Sequence, residues 1–387
     1  MQPASDPFMR DDKPSALHRA LRRTNGVAFL FSTTTALFLL LPVYLQQAGN
    51  SAAQIGLVAG IMRVSMLVAR PVAGRLLDRF GRRPVIMGGG LVTIIAILSI
   101  FLFPKVGLPF LLLRIVQGAA TALVDSGLGT VVADLAPPML RTRVFALYTV
   151  WLTLPGGIMP AVGEVIARHA GFFPIFGVAA LTLAGALLVF RRLPETMPAV
   201  PEQAATTWSL GRAGAPVLVG GMIVGFVFGV SSVFVPVAPI AEAPGRIGAF
   251  FFAYFVGLFG MRLANGVGVA WLARPPILIP AYAFMAIGLT ILPLGSSALL
   301  LVVAGLACGM GHGTCVPILY TVLLFGAPKE RRGWAVASLA AAFDSGMIVA
   351  TLGLGVAEEW IGYRGIFWLS GGFVAAGATT SYLLGKR

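Results

Sequence analysis

Charge is the scarcest property of this sequence. Of its 387 residues, only 11% are charged and 58% are hydrophobic, and the mean hydropathy is +0.90. Soluble domains carry about 25% charged residues, and a chain with half that share cannot cover a soluble fold with polar groups. The composition therefore excludes a soluble protein and indicates that lipid surrounds most of the chain.

Acidic residues are particularly few, with 14 Asp and Glu against 28 Lys and Arg, which gives a net charge of +14. An excess of basic residues can indicate nucleic-acid binding, so the positions of the charges along the chain are needed to test this interpretation. Most Lys and Arg residues fall in the N-terminal tail and in every second loop between apolar runs. This asymmetry follows the positive-inside rule, and it requires no nucleic acid. It predicts a multi-pass inner-membrane protein with both termini in the cytoplasm. Residues 1–25 lack the apolar core of a signal peptide and are predicted to form a cytoplasmic tail.

Cysteine and histidine are also scarce. Cys308 and Cys315 lie seven residues apart in one predicted helix, about 10 Å along its axis, which excludes a disulfide between them. His312 lies between them on the same side, and thiolate and imidazole are ligands for soft metals. Three ligands on one straight helix enclose a tetrahedral ion poorly. No metal is therefore predicted, and His312 is expected in the wall of a polar cavity.

The short motifs of common enzyme sites are missing. The sequence contains no Gly-x-Ser-x-Gly, no His-Glu-x-x-His and no phosphate-binding Gly-x-x-x-x-Gly-Lys-Ser/Thr,. An enzyme and an ATP-driven pump are therefore not expected, and no cofactor is predicted. A receptor or a channel remains as an alternative from another class.

Apolar runs of membrane-spanning length, by contrast, are abundant. A helix needs about 20 apolar residues to cross a bilayer. The fold class predicted is an all-α membrane protein with twelve transmembrane helices, in a first bundle over 26–190, a Pro-containing cytoplasmic linker over 191–213 and a second bundle over 214–387. The predicted spans are 26–48, 54–77, 85–103, 107–135, 142–167, 171–190, 214–239, 247–270, 277–295, 296–325, 333–357 and 361–384.

The two halves are weakly alike at a nearly constant shift. Arg70 corresponds to Arg262, and Gly118 corresponds to Gly309. Two duplicated bundles with a binding site between them near the midplane are an architecture of transporters. This architecture is not expected of a receptor or a channel. Glycines also recur at four-residue spacing in the seventh span (221, 225, 229) and the tenth (305, 309, 313). Such spacing allows helix backbones to approach closely in lipid.

The loop after the second span carries the most specific motif. Residues 74–84 read GRLLDRFGRRP, and a basic loop alone would need neither the Asp nor the fixed glycines. The motif resembles the Gly-x-Leu-x-Asp-Arg-x-Gly-Arg-Arg sequence between helices two and three of the major facilitator superfamily. The resemblance implies a gating loop that joins the two halves on the cytoplasmic side, formed by Gly74, Asp78, Arg79, Gly81 and Arg82. By position, Asp134 is the expected partner of Arg82, and Asp78 is expected to face the N-terminus of another helix.

Shorter motifs resemble the same family. Arg114, Gln117 and Gly118 match its Arg-x-x-Gln-Gly motif, whose arginine is associated with proton coupling, and residues 194–196 (PET) match a common ending of the sixth span. Residues 157–164 (GIMPAVGE) match the antiporter pattern Gly-Pro-x-x-Gly-Gly at Pro160 and Gly163 only. The resemblance implies alternating access and favours proton-coupled efflux of a small organic compound by a monomer. A proton-coupled symporter and an uncoupled facilitator remain alternatives.

Ionisable residues within the spans are costly to bury and indicate function. Asp125 and Arg70 lie at similar depth in the fourth and second spans, as do Asp344 and Arg262 in the eleventh and eighth. We predict that Asp125 or Asp344 carries the coupled proton, because a buried carboxylate changes its proton affinity as the cavity hydrates. Static ion pairs between helices are the alternative. The other ionisable candidates are Arg63, Arg114, Glu164 and His312.

Neutral polar residues complete the predicted cavity. Thr34, Gln117 and Ser231 are expected to offer hydrogen bonds to a substrate, although hydroxyls in such helices often bond their own backbone. The mixture of acids and arginines favours a polar or zwitterionic substrate, whose identity a shared fold does not reveal.

Overall fold

The computed structural model describes residues 13–103, 105–137, 140–196, 211–266, 277–295, 297–325 and 332–385. Over these ranges the chain forms helices and no β-strand. Ten segments are long and apolar enough to cross a membrane, and Leu278–Leu294 is a shorter apolar helix. One of the ten, Ala335–Thr380, contains two helices, which meet at Gly362 with φ of 67°. The described residues therefore form twelve crossing helices.

The first bundle contains six crossing helices, several of which have local start signals. Ser51 forms a capping box with Gln54 at the start of the second helix, which satisfies backbone N–H groups left free at a helix end. Gly81 and Gly171 adopt positive φ between consecutive helices, where other residues would be strained. The helices are α1 (Lys13–Leu37, continued by Phe38–Leu40 and Leu41–Gln47), α2 (Ala52–Phe80), α3 (Arg82–Ser99), α4 (Leu108–Leu135), α5 (Arg141–Ala170) and α6 (Phe172–Phe190).

The second bundle repeats this arrangement. Its last two helices are joined through a π-helical turn and the break at Gly362. The helices are α7 (Gly211–Val233), α8 (Arg246–Gly266), α9 (Leu278–Thr290), α10 (Ala298–Phe325), α11 (Arg332–Ile348, continued by Val349–Gly353 and by 354–361) and α12 (363–385).

Helix α1 differs most from its predicted span. It begins at Lys13, so the helix extends into the stretch predicted as a tail, and residues 1–12 lie outside the described part. Because the number of crossings is even, α1 begins and α12 ends on the same side of the membrane. We call this side the terminal face and the other side the opposite face. Large apolar side chains point outward where lipid would lie, as for Val68, which is 69% exposed, and Leu181, which is 71% exposed.

The glycines at four-residue spacing lie at helix contacts within the second bundle. A Cβ atom on Gly309 would overlap the carbonyl oxygen of Tyr254 in α8, and one on Gly225 would overlap that of Phe343 in α11. The remaining glycines of the two series face the same partner helices. The close approach of α10 to α8 and of α7 to α11 therefore depends on the missing side chains.

We expect Gly309→Ala to lower the thermal stability of the detergent-solubilised protein, because its methyl group must displace the backbone of α8. Overpacking of this kind costs about 1–3 kcal/mol. Gly372→Ala is the control, since a Cβ atom there meets nothing within 4 Å. Equal unfolding temperatures for the two variants would contradict the packing described.

Candidate functional site

A cavity of about 260 Å³ lies between the two bundles. Its wall is formed mainly by α1, α2 and α4 of the first bundle, and α7 and the π-helical turn after α11 contribute Ser232 and Thr351. This central cavity combines apolar side chains with a few convergent polar groups, as small-molecule sites do. The polar and charged lining residues are Thr34, Thr35, Arg63, Thr93, Arg114, Gln117, Thr121, Asp125, Ser232 and Thr351.

Four charged side chains form an ion cluster beside the cavity. Nη1 of Arg70 lies 3.0 Å from Oδ2 of Asp125, and Nε of Arg70 lies 3.0 Å from Oδ2 of Asp344. Nη1 of Arg63 lies 4.0 Å from Oδ1 of Asp344. Arg63 and Arg70 belong to α2, Asp125 to α4 and Asp344 to α11. The central ion cluster (Arg63, Arg70, Asp125, Asp344) therefore joins the two bundles.

The two carboxylates differ in exposure. The side chain of Asp344 is 4% exposed, whereas that of Asp125 is 27% exposed and contributes to the cavity wall. A buried carboxylate without a counter-charge is strongly disfavoured, so Asp344 depends on Arg70 and Arg63 to remain ionised. The carboxylate of Asp125 is therefore accessible from the cavity, whereas Asp344 is not among the described lining residues.

Arg114 occupies the same cavity wall without a carboxylate among the described residues. Its Nη1 donates to Oε1 of Gln117, its Nε lies 3.4 Å from the carbonyl oxygen of Val58, and its guanidinium lies 5.9 Å from the ring centroid of Phe38. The side chain is thus held by neutral groups while its charge remains uncompensated.

Glu164 joins the bundles at the opposite face. Its Oε1 accepts a hydrogen bond of 2.7 Å from the backbone N–H of Gly245, and its Oε2 accepts one of 3.0 Å from that of Gly248. These N–H groups begin α8, where the helix dipole favours an anion. Arg168, one turn along α5, donates to Oε1 at 2.6 Å. The Glu164 clamp (Glu164, Arg168, Gly245, Gly248) was not predicted, although the spacing of Glu164 and Arg168 indicates a helical ion pair.

The gating loop lies at the terminal face, and its described partners belong to the first bundle. Nε of Arg82 lies 3.0 Å from Oδ2 of Asp134, and Nη1 of Arg82 lies 3.4 Å from Oδ1 of Asp78. The side chain of Asp78 is 65% exposed, so in this conformation it does not cap another helix. Arg79 lies over the ring of Phe80. A Cβ atom on Gly74 would meet nothing within 4 Å.

Glu195 also contacts the gating loop, although it was not predicted as a site residue. Its two carboxylate oxygens accept hydrogen bonds of 2.9 Å from the backbone N–H groups of Arg82 and Arg83, at the start of α3. Thr196 donates to Oδ2 of Asp134 at 2.9 Å. The Pro-Glu-Thr ending of α6 was the available signal, because an acid after a helix can cap a neighbouring one.

Two predicted residues lie in the second bundle, away from the wall of the central cavity. The hydroxyl group of Tyr254 lies 2.6 Å from Nδ1 of His312, and neither His312 nor Arg262 is among the described lining residues. Nη1 of Arg262 is buried without a hydrogen-bond partner among the described residues. The cysteines beside His312 are free and buried.

The three neutral residues predicted to line the cavity differ in their positions and contacts. Gln117 lines the cavity and orients Arg114. Thr34 lines it too, but its hydroxyl group donates to the backbone carbonyl of Ala179 in α6. Ser231 does not contribute to the described wall, which contains Ser232 instead. Helix rotation decides between adjacent residues, and apolar spans give little indication of it.

Comparison with known proteins identifies relatives across the chain. A family model described as Major Facilitator Superfamily matches residues 25–351. The staphylopine export protein of Staphylococcus aureus is 24% identical over 370 residues, which cover 91% of this chain and 92% of the relative. The quinolone resistance protein NorA of the same organism is 26% identical over 144 residues, 36% of each chain.

Solved structures share the fold. The human organic anion transporter MFSD10 superposes with a TM-score of 0.68 at 17% identity, covering 94% of this chain and 99% of that one. A bacterial homologue of the human lysosomal transporter Spinster, in an inward-facing and unoccupied conformation, gives a TM-score of 0.75 at 14% identity, with coverages of 96% and 98%. At these identities the likeness shows the fold alone.

The central ion cluster predicts non-additive effects on stability. Arg70→Gln leaves two carboxylates without their shared cation, and we expect a loss of about 3 kcal/mol in the free energy of unfolding, the lower end for a broken buried pair because Arg70 and Asp125 are 25% and 27% exposed,. Adding Asp344→Asn should restore part of this loss, since it removes the charge left unpaired, and a double-mutant cycle in detergent measures the coupling. Arg75→Gln, at an exposed position of the same helix, is the control. Strictly additive effects would contradict the shared pairing.

Proposed function

The chain belongs to the Major Facilitator Superfamily, and from this premise we propose that it exports a small organic compound in exchange for protons, by alternating access. The observation that carries the proposal is the central ion cluster, in which ionisable groups join the two bundles beside a cavity. Two relatives, one named for staphylopine export and one for quinolone resistance, support the direction.

The proposed orientation places the terminal face in the cytoplasm of a cell with an inner membrane. The concentration of Arg residues in the α2–α3 loop supports it,. In this arrangement residues 1–25 form the cytoplasmic N-terminal segment, 191–213 form a cytoplasmic linker, and the bundles 26–190 and 214–387 move relative to each other within the lipid. One chain contains the cavity and both sets of bundle contacts, which supports a monomer.

Contacts between the bundles at the opposite face support a cavity closed on that side. Besides the Glu164 clamp, Nε2 of Gln46 donates to the carbonyl oxygen of Val237 at 2.8 Å, and the hydroxyl group of Ser51 donates to Oε1 of Glu359 at 3.1 Å. Asp78 is exposed at the terminal face, which supports a cavity that is open on that side. In the other conformation, the clamp releases α8 and the gating loop contacts the second bundle.

The coupling step follows from the shared cation. Protonation of Asp125 removes one of the two charges that hold Arg70, and protonation of Asp344 removes the charge that holds α11 to α2. Either event weakens the contact between the bundles and allows them to separate. Asp125 is the better proton exchanger because it lines the cavity, and Asp344 is the better link because it lies in the other bundle.

The Glu164 clamp predicts the state of the opposite face. Glu164→Gln removes the charge that binds the start of α8 and Arg168, a loss of about 1.5–3 kcal/mol for charged hydrogen bonds. We expect about tenfold faster labelling of a Ser232→Cys probe by a membrane-impermeant maleimide added at that face. The native cysteines are buried. Glu242→Gln, at an exposed position nearby, is the control, and unchanged labelling in Glu164→Gln would contradict the clamp.

Proteoliposomes with an internal pH-sensitive dye test the coupling. A panel of metabolites and drugs is added under an imposed proton gradient, and we expect a transported compound to move protons in the opposite direction. Asp125→Asn and Asp344→Asn should each abolish this proton movement, since neither amide can carry the proton. Proton movement in the same direction as the compound would indicate a symporter, which the mismatches to the antiporter pattern at Met159 and Glu164 keep as the alternative. Compound movement without protons would indicate a facilitator with static ion pairs.

A further inference from the structure

The charges around the central cavity are unequal in number. Among the described residues that line the cavity or belong to the central ion cluster, three are arginines (Arg63, Arg70 and Arg114) and two are carboxylates (Asp125 and Asp344). Arg70 engages both carboxylates at 3.0 Å. Arg70 is therefore paired with both carboxylates, Arg63 has only the longer contact of 4.0 Å with Asp344, and Arg114 has no carboxylate partner among the described residues.

Arg114 has the strongest need for a counter-charge. The residue is 4% exposed, and its contacts in the described structure are the neutral side chains of Gln117, Met62 and Phe38 and the carbonyl oxygen of Val58. Neutral acceptors satisfy its N–H groups, but the positive charge remains in a low-dielectric interior, where an uncompensated charge is costly.

Arg63 lines the same cavity as Arg114 and is more accessible. Its side chain is 31% exposed, and its nearest carboxylate oxygen, on Asp344, is at 4.0 Å, beyond hydrogen-bond distance,. Both arginines line the cavity, and Met62, whose sulfur atom contacts Nη2 of Arg114, directly precedes Arg63 in α2. Like charges on one wall repel each other. An anion bound between the two arginines would reduce this repulsion and would supply the counter-charge that Arg114 lacks.

The surrounding wall indicates what kind of anion fits. Met62, Met66 and Phe38 line the cavity beside the two arginines, so the charged pocket continues into an apolar one. A strongly hydrated inorganic anion would gain nothing from this apolar surface, whereas an organic acid would place its oxyanion on the arginines and its carbon skeleton on the methionines.

We infer that the transported compound is an organic anion whose carboxylate binds Arg63 and Arg114. The inference rests on the proposed function, because it takes the central cavity as the transport site. It assigns these arginines to recognition of the substrate and leaves Arg70 with the carboxylates that join the bundles. A zwitterion fits as well, with its cationic group towards Asp125.

Ligand-induced stabilisation tests this without transport. The purified full chain in detergent, which contains 6 Trp residues, is heated with a library of organic carboxylic acids, each paired with its methyl ester, together with organic amines, inorganic phosphate and sulfate. Compounds that bind the folded state raise the unfolding temperature. We expect the stabilising compounds to be acids and their esters to be inactive.

Variants then locate the binding groups. In Arg114→Gln and in Arg63→Gln, the concentration of acid needed for half of the stabilisation should rise at least about tenfold, as expected for the loss of a charged hydrogen bond. Arg114→Lys keeps the charge and should lie between. Arg364→Gln, an exposed arginine at the opposite face, should match the unaltered chain. Unfolding temperatures without ligand show that each variant is folded.

Several results would overturn the inference. These are stabilisation by amines or esters as strong as by acids, stabilisation by inorganic anions alone, acid binding unchanged in the Arg63 and Arg114 variants, and the lack of any stabilising acid. Acid binding without proton movement in proteoliposomes would leave the inference intact and defeat the proposed coupling. Proton-coupled transport of a neutral or cationic compound would support the proposed coupling and overturn the inferred substrate class.

Discussion

A single guanidinium group that serves two carboxylates from different bundles is the interaction on which the architecture depends. Arg70 lies beside Asp125 in its own bundle and Asp344 in the other, at 3.0 Å from each. In a membrane interior none of these charges can be left alone without a large cost, so the three groups hold each other in place. A change in the protonation or position of one of the three groups therefore alters the contact between the two bundles.

The other contacts of the structure lie within each bundle and at the two faces, on either side of this ion cluster. Glycines replace side chains where α10 approaches α8 and where α7 approaches α11 in the second bundle, and at Gly118, where α4 approaches α2 in the first, which makes each bundle a closely packed unit. Between the bundles the opposite face carries the Glu164 clamp, whose carboxylate is bound by the first N–H groups of α8. The terminal face carries the gating loop, which is bound to Asp134 of its own bundle and to Glu195 in the segment that follows α6. Rigid bundles with separable contacts at the two faces are what the proposed alternating access requires.

The cavity between them is asymmetric in charge. Its first-bundle wall supplies Arg63, Arg114 and Asp125, whereas its second-bundle wall supplies neutral residues such as Ser232 and Thr351. The polar pair of Tyr254 and His312 lies outside this wall. The duplicated sequence has therefore kept the helix packing in both halves and concentrated the charged groups of the cavity in the first.

The sequence by itself determined the number of crossings, the concentration of Arg on one face, the glycine contacts and the composition of the gating loop. Each of these depends on hydropathy or on spacing within one helix or loop, which a single chain displays directly. It also pointed to Asp125, Asp344, Arg70 and Arg114 as residues that need a functional reason to be buried. Only the tertiary structure decided which of them meet, because Arg70 and Asp344 lie 274 positions apart and helix rotation is not encoded in uniformly apolar spans. For the same reason it alone revealed that Glu164 caps α8 and that Arg114 has no carboxylate beside it in the part of the chain that the structure describes.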